Sequence, residues 1–243
     1  PRDGHGHHQV AGIVTQEAFK AAADPKMFPE YGKPWQAKKL YLNAVPMPNS
    51  SEPMGIEINV GEFDPALGRS YNEIAAEGRS MHRSQAQGGP QERGPRATRL
   101  QLVQKTVDTS ENAQLFSGVI YRLRDLGQLD DSIAADAADL EQKVGAIRQK
   151  INLVRPSDIA PDLAAALKQL QRIQGRSKNE QVQFLLQKKE EDFQEALRLA
   201  AGLVVDVVAS DESVVPGQEF DLAVGVVNGG PYNFPGIRVK TDM

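Results

Sequence analysis

Residues 111–203 constrain the fold most strongly, because apolar side chains recur there at helical spacing in one group after another. Leu115, Val119, Leu123 and Leu126 predict one face, and Leu140, Val144, Ile147 and Ile151 a second. Asp130-Asp131 reads as a helix start, since carboxylates suit the positive end of a helix. Ser157 is placed to cap a third helix that turns Leu163, Leu167, Leu170 and Ile173 inward. A fourth, from about Asn179, uses Val182, Leu185, Leu186, Phe193 and Leu197, and its KKEED run (Lys188–Asp192) reads as a solvated face with local ion pairs. Four such segments predict a small bundle or a set of packed hairpins. No fixed-period sequence repeat is present, which argues against a solenoid.

The pattern changes on both sides of this region. After Gly202 three β-rich runs follow, LVVDVVAS, EFDLAVGVVN and GIRVKTD, separated by Pro-Gly and Asn-Gly-Gly-Pro turn signals. They read as the first strands of an immunoglobulin-like β-sandwich, too few to close one, and so expected to pack on the helices or be poorly stable. Before it, Val10, Ile13, Val14, Ala18 and Phe19 give residues 8–23 one apolar helical face, ended by Asp24-Pro25. KLYLNAV (residues 39–45) reads as a buried strand and IEINV (56–60) as a shorter one, with Pro46, Pro48 and Pro53 in the loop between. A helix is predicted from about Tyr71 to Gln87, with Ile74, Gly78, Met81, His82 and Gln85 sharing a face, and QGGPQERGPRAT reads as a boundary loop. The expected organisation is α/β over 1–90, helical over 105–202 and sandwich-like over 203–243. Both ends read as cuts through a longer protein.

A net charge of -4 and a pI near 5.7 argue against nucleic acid or an anionic membrane as the main partner. No apolar run approaches the roughly 20 residues of a membrane helix. The chain has no cysteine, which excludes disulfides and thiolate metal ligands. No phosphate loop, Gly-x-Ser-x-Gly elbow or basic-aromatic pattern is present.

The candidate chemistry sits at the start. His5, His7 and His8, of four histidines in all, lie in DGHGHHQVAG. A tag remnant or a surface tract is the alternative; the interrupting glycines and the amphipathic helix directly behind them argue against it. Imidazole is a good zinc ligand, and His5 and His8, three residues apart, face one small volume if the loop turns as a first helical turn does. One can then hold metal while the other stabilises a tetrahedral oxyanion. A catalytic zinc takes about three protein ligands, and Asp3 is the only carboxylate nearby in the sequence.

DGHGHHQVAGIVTQEAFKAAADPKMFPE, followed by GKPWQAKKLY, resembles the second active-site motif of PIG-L (LmbE-like) N-acetylglucosaminyl deacetylases. EFDPALGRSYNEIAAEGRSMHRSQ is similar to the closing helix of the larger bacterial members. The resemblance covers about residues 1–90 and implies the C-terminal half of a Rossmann-like α/β layered deacetylase domain. It implies that His8 is a zinc ligand and that His5 stabilises the oxyanion. The family's aspartate between them is here His7, and its proline is here Gly6, a departure that leaves the middle position's role open. The family's other motif, of the Ala-His-Pro-Asp-Asp type, supplies the remaining ligands and the general base and is absent from this chain. The implied substrate is an N-acetylated sugar or glycoconjugate, and analogy to large members implies an extracytoplasmic location. His82 reads as a half-buried residue closing the domain, with a substrate-side role as the alternative. Trp35 and Tyr41 read as packing residues, although Trp35 could border the pocket. The competing function class is a non-catalytic carbohydrate-binding or scaffold protein derived from the same fold.

Overall fold

The computed structural model describes residues 4–44, 55–85, 89, 91–109, 114–236 and 238. The chain divides into two compact units, Pro1–Val119 and Ile120–Met243.

In the first unit, helix α1 (Gly6–Ala21) is followed by strands β1 (Lys39–Ala44) and β2 (Ile56–Asn59). The short strands β3 (Phe63–Asp64) and β4 (Arg69–Ser70) then form a small ladder that feeds helix α2 (Tyr71–Ser80), and β5 (Ala97–Lys105) follows. The main sheet has the order β1-β5-β2, so the last strand lies in the middle, antiparallel to both neighbours. The mixed α/β character is present; the parallel strands of a Rossmann-like layer are not among the described residues. Strand β5 is the element the sequence pattern left unassigned. Its Leu100 and Leu102 alternate as a strand requires, but the register with β1 slips there: Leu40 faces Gln104 and Tyr41 faces Leu102, so Val103 has no partner. Such a bulge breaks the alternation by which strands are recognised.

Little of this unit is buried. Among its described hydrophobic residues only Phe19 belongs to the core, at 8% exposure. The KLYL strand is therefore half-buried rather than buried, with Leu42 exposed, because no second layer covers it among the described residues. The predicted apolar face of α1 is also open: Val10, Ile13 and Val14 are each more than half exposed, and Phe19 alone packs inward. Helix α2 starts on a capping box, in which Ser70 accepts from the Glu73 N–H and Glu73 accepts from the Ser70 N–H. It stops at Ser80 rather than near Gln87. None of its residues is buried, and its last turn tightens through Met81 N–H to Gly78 C=O and His82 N–H to Arg79 C=O. A helix without a packed face has little to extend it.

The second unit holds the core. Short 3-10 turns at Leu123–Gln128 and Asp131–Ile133 lead into α3 (Ala134–Lys150). Another, Pro156–Ile159, leads into α4 (Ala160–Arg176), and α5 (Glu180–Ala200) follows directly. Helix α4 packs against both α3 and α5. Ile133, Leu140, Leu170, Ile173, Val182 and Leu186 have almost no exposed surface, worth about 1.5–3 kcal/mol each. Asn179 caps α5 by accepting from the Gln181 and Val182 N–H groups. Two expectations fail here. The predicted helical face from Leu115 to Leu126 is not a helix, because Gly118 sits at φ +74° and turns the chain before Leu123. Ser157 does not cap the third helix; it lies inside the 3-10 turn, and α4 begins at Ala160.

Strands β6 (Leu203–Ala209) and β7 (Leu222–Asn228) form a seven-rung hairpin, Leu203 facing Asn228 and Ala209 facing Leu222. After β7 the chain turns back onto the helices. Tyr232 and Phe234 pack against the core, and the Tyr232 hydroxyl donates to the Ser157 carbonyl at 2.7 Å. At the base of the hairpin the Gly229 N–H donates to Gly202 C=O, and a Cβ at Gly230 would lie 1.8 Å from the Ala201 carbonyl oxygen, so only glycine fits. The third β-rich run lies almost wholly outside the described residues, and what the described residues show here is a two-stranded hairpin, not a sandwich.

Candidate functional site

The histidine pair is built by the start of α1. His5 is the residue before the first helical turn, with extended backbone at φ -81° and ψ 126°, and the Gln9 N–H closes that turn onto its carbonyl at 3.2 Å. The imidazole is not used to cap the helix, and the first turn holds no acidic residue. His8 follows three residues later, so both rings rise on the same side. Their centroids lie 5.6 Å apart with 65° between the ring planes. Both side chains are exposed. His7 is exposed too and, at 100° per residue, leaves the helix in a different direction from His8.

This arrangement presents two imidazoles at the positive end of a helix of 16 residues. The partial charge there favours negative charge developing on a bound group. Imidazole nitrogen binds zinc at about 2 Å, and the two rings stand edge to face over one small volume. The donor set is short, however. Among the described residues no three His, Asp or Glu side chains come together as metal ligands. Asp3 lies outside the described residues. His82 sits just past α2 with its N–H bonded to Arg79, and its side chain is exposed rather than half-buried as the shared helical face predicts.

A second feature lies at the far end of α1. The loop that follows carries exposed Phe28 and Tyr31 at a cavity of about 540 Å³, with exposed Trp35 directly after its last lining residue, Pro34. Trp35, read from the sequence as packing, is 67% exposed. Tyr41 does pack: its hydroxyl donates to the Leu115 carbonyl at 3.3 Å, and burial raises its pKa. The cluster FPEYGKPW could have been found by its density of aromatics among Pro and Gly, a mixture that holds rings at a surface instead of in a core.

No family profile matches the chain, and no solved structure matches it. Curated relatives do. A stretch of 54 residues, 21% of this chain, is 44% identical to a 1D-myo-inositol 2-acetamido-2-deoxy-alpha-D-glucopyranoside deacetylase of Streptomyces avermitilis, 18% of which is covered. Two such deacetylases of Frankia alni are 50% identical over 42 residues and 46% identical over 55 residues, with 14% and 18% of their lengths covered. The chain thus spans under a fifth of the curated relatives it matches. Among the described residues no helix is long and apolar enough to cross a membrane.

Proposed function

We propose that this chain is part of a zinc-dependent hydrolase that removes the acetyl group from an N-acetylglucosaminyl-type sugar, in the manner of PIG-L deacetylases. The observation that carries this reading is the His5–His8 pair at the head of α1, with its resemblance to the family motif. The names of the relatives support a deacetylase. His8 would hold the zinc, which when bound supplies a Lewis acid and an activated water. His5, beside it and at the positive helix end, donates a hydrogen bond to the acetamide oxygen as that oxygen gains charge. The first turn is exposed, and both rings lie at the surface. The remaining ligands and the general base come from outside the described residues. His82 is a substrate-side candidate on the resemblance of its segment alone.

The test is acetate release from an N-acetylglucosaminyl-inositol by the longest polypeptide the gene encodes. His8→Ala should abolish chelator-sensitive turnover. His5→Ala should lower kcat about 10²–10³-fold with a smaller change in KM, as loss of one oxyanion donor does. The present chain alone should not bind zinc tightly at one equivalent. Turnover that survives both chelation and His8→Ala would sink the proposal. A second reading, a non-catalytic sugar-binding descendant, is favoured by His7 at the family's aspartate position and would give sugar binding without turnover.

A further inference from the structure

We infer that the loop after α1 is a second carbohydrate subsite, a stacking surface for a distal sugar ring of an N-acetylated glycan. The inference rests on the deacetylase reading for the substrate class and on the loop's own geometry for the site.

The loop is held in one shape. Asp24 accepts from Lys26 N–H through its side chain and from Met27 N–H through its carbonyl, at 2.9 and 3.0 Å. The Trp35 N–H reaches back to the Ala22 carbonyl at 2.7 Å and closes the segment on the end of α1. Within it Pro29–Tyr31 forms a 3-10 turn, with Tyr31 N–H on the Phe28 carbonyl. Phe28 has φ 56° and ψ 45°, the left-handed region, and is the one described non-glycine residue at positive φ. Such a conformation is unfavourable for a residue with a Cβ and persists where neighbours impose it, often at ligand sites. Burial does not offset that strain, because the ring is 59% exposed.

The strained backbone sets two aromatic walls. The Phe28 and Tyr31 rings lie 6.4 Å apart at 56°, over a cavity also lined by Pro25, Met27, Lys33 and Pro34. Its volume, about 540 Å³, falls in the range of small-ligand sites and exceeds a single sugar ring. Aromatic faces suit the apolar C–H face of a pyranose. Tyr31, Glu30 and Lys33 put a hydroxyl, a carboxylate and an ammonium along the same loop, where sugar hydroxyls need partners, and Met27 and Pro25 offer an apolar seat for an acetamide methyl. Helix α1 fixes the spacing: from His8 to Ala22 is about 20 Å at 1.5 Å per residue. That distance separates the loop from the histidine pair by several sugar units, so the occupant is one ring of an oligosaccharide whose other end reaches the histidines.

The experiment is calorimetric titration of the present chain with penta-N-acetylchitopentaose, cellopentaose and N-acetylglucosamine. Trp35, the only tryptophan, reports location by fluorescence. The pentaose should bind saturably, more tightly than the other two, and shift the Trp35 emission. Tyr31→Ala should weaken binding about tenfold while Tyr31→Phe, which keeps the ring, retains it. Tyr31 is 85% exposed, so neither substitution disturbs packing. No saturable heat, or equal affinity in Tyr31→Ala and the parent chain, overturns the inference. An apolar dye that binds the loop while the pentaose does not would overturn it also, and would identify a surface for protein contact. These titrations need no zinc and no turnover, so failure of the loop and failure of the deacetylase reading are read separately.

Discussion

Two neighbouring kinds of apolar residue separate cleanly in this chain. Leu170 has no exposed surface and sits between helices, whereas Val10, on an equally regular helical stripe, is 58% exposed. Leu170→Ala should therefore cost about 2–5 kcal/mol in denaturant unfolding of the second unit, and Val10→Ser no more than about 0.5 kcal/mol. The sequence pattern alone ranks them alike, because periodicity identifies a stripe and not the surface that covers it. The histidines are the opposite case. The spacing of His5 and His8 placed their rings together correctly, since the geometry of one helical turn is local. What surrounds them was not legible, because spacing reports only neighbours in sequence; among the described residues no three His, Asp or Glu side chains come together there.

At the scale of elements, start signals were read where a side chain makes the cap itself. Asn179 and the Asp130 turn fall where predicted, with Asp130 accepting from the Ser132 hydroxyl and N–H. Misreadings arose where backbone conformation decides: Gly118 at positive φ, the slipped rung of β5, the proline turn ahead of α4. Helix α2 has no buried face, so its cap matters more than most. Ser70→Ala should cost about 0.5–2 kcal/mol of local stability, measured by amide exchange within Tyr71–Ser80. Glu73 adds a pH dependence. The Ser70 N–H and then the Arg93 side chain hold its carboxyl below the usual glutamate range. A depressed folded value stabilises above the unfolded one and is lost as pH falls through it. Protection of α2 should thus be flat near neutrality and fall on acidification below the ordinary glutamate range, and Glu73→Gln should flatten that acid limb.

Across the whole molecule the core and the exposed apolar surface are unevenly distributed. Among the described residues, sixteen buried hydrophobic ones form the cluster in the second unit, while exposed ones gather on α1, on the loop behind it and on the hairpin. On the hairpin, Leu203, Val205, Val207, Val224, Val226 and Leu222 share one face by register. An apolar face on which Val205 and Val207 are exposed, and strand edges unpaired among the described residues, favour self-association, opposed by net charge. That charge is -4 at pH 7 and vanishes near the pI of 5.7. Light scattering should rise as pH falls from 8 toward 5.7. Val205→Glu with Val207→Glu should reduce it at pH 8, by placing charge on the apolar face and adding two negative charges to the net -4.

The register of that hairpin also governs how it responds to tension. Leu203 faces Asn228, so the polypeptide enters and leaves the ribbon at the same end, beside the Gly229–Gly202 bond. A pull along the chain meets the rungs one after another, as a zipper is opened, instead of loading all seven in parallel shear. The clasp at Gly202, Gly229 and Gly230 and the anchorage of Tyr232 and Phe234 on the helices therefore set the first resistance, and once they release, the strands should peel at low force.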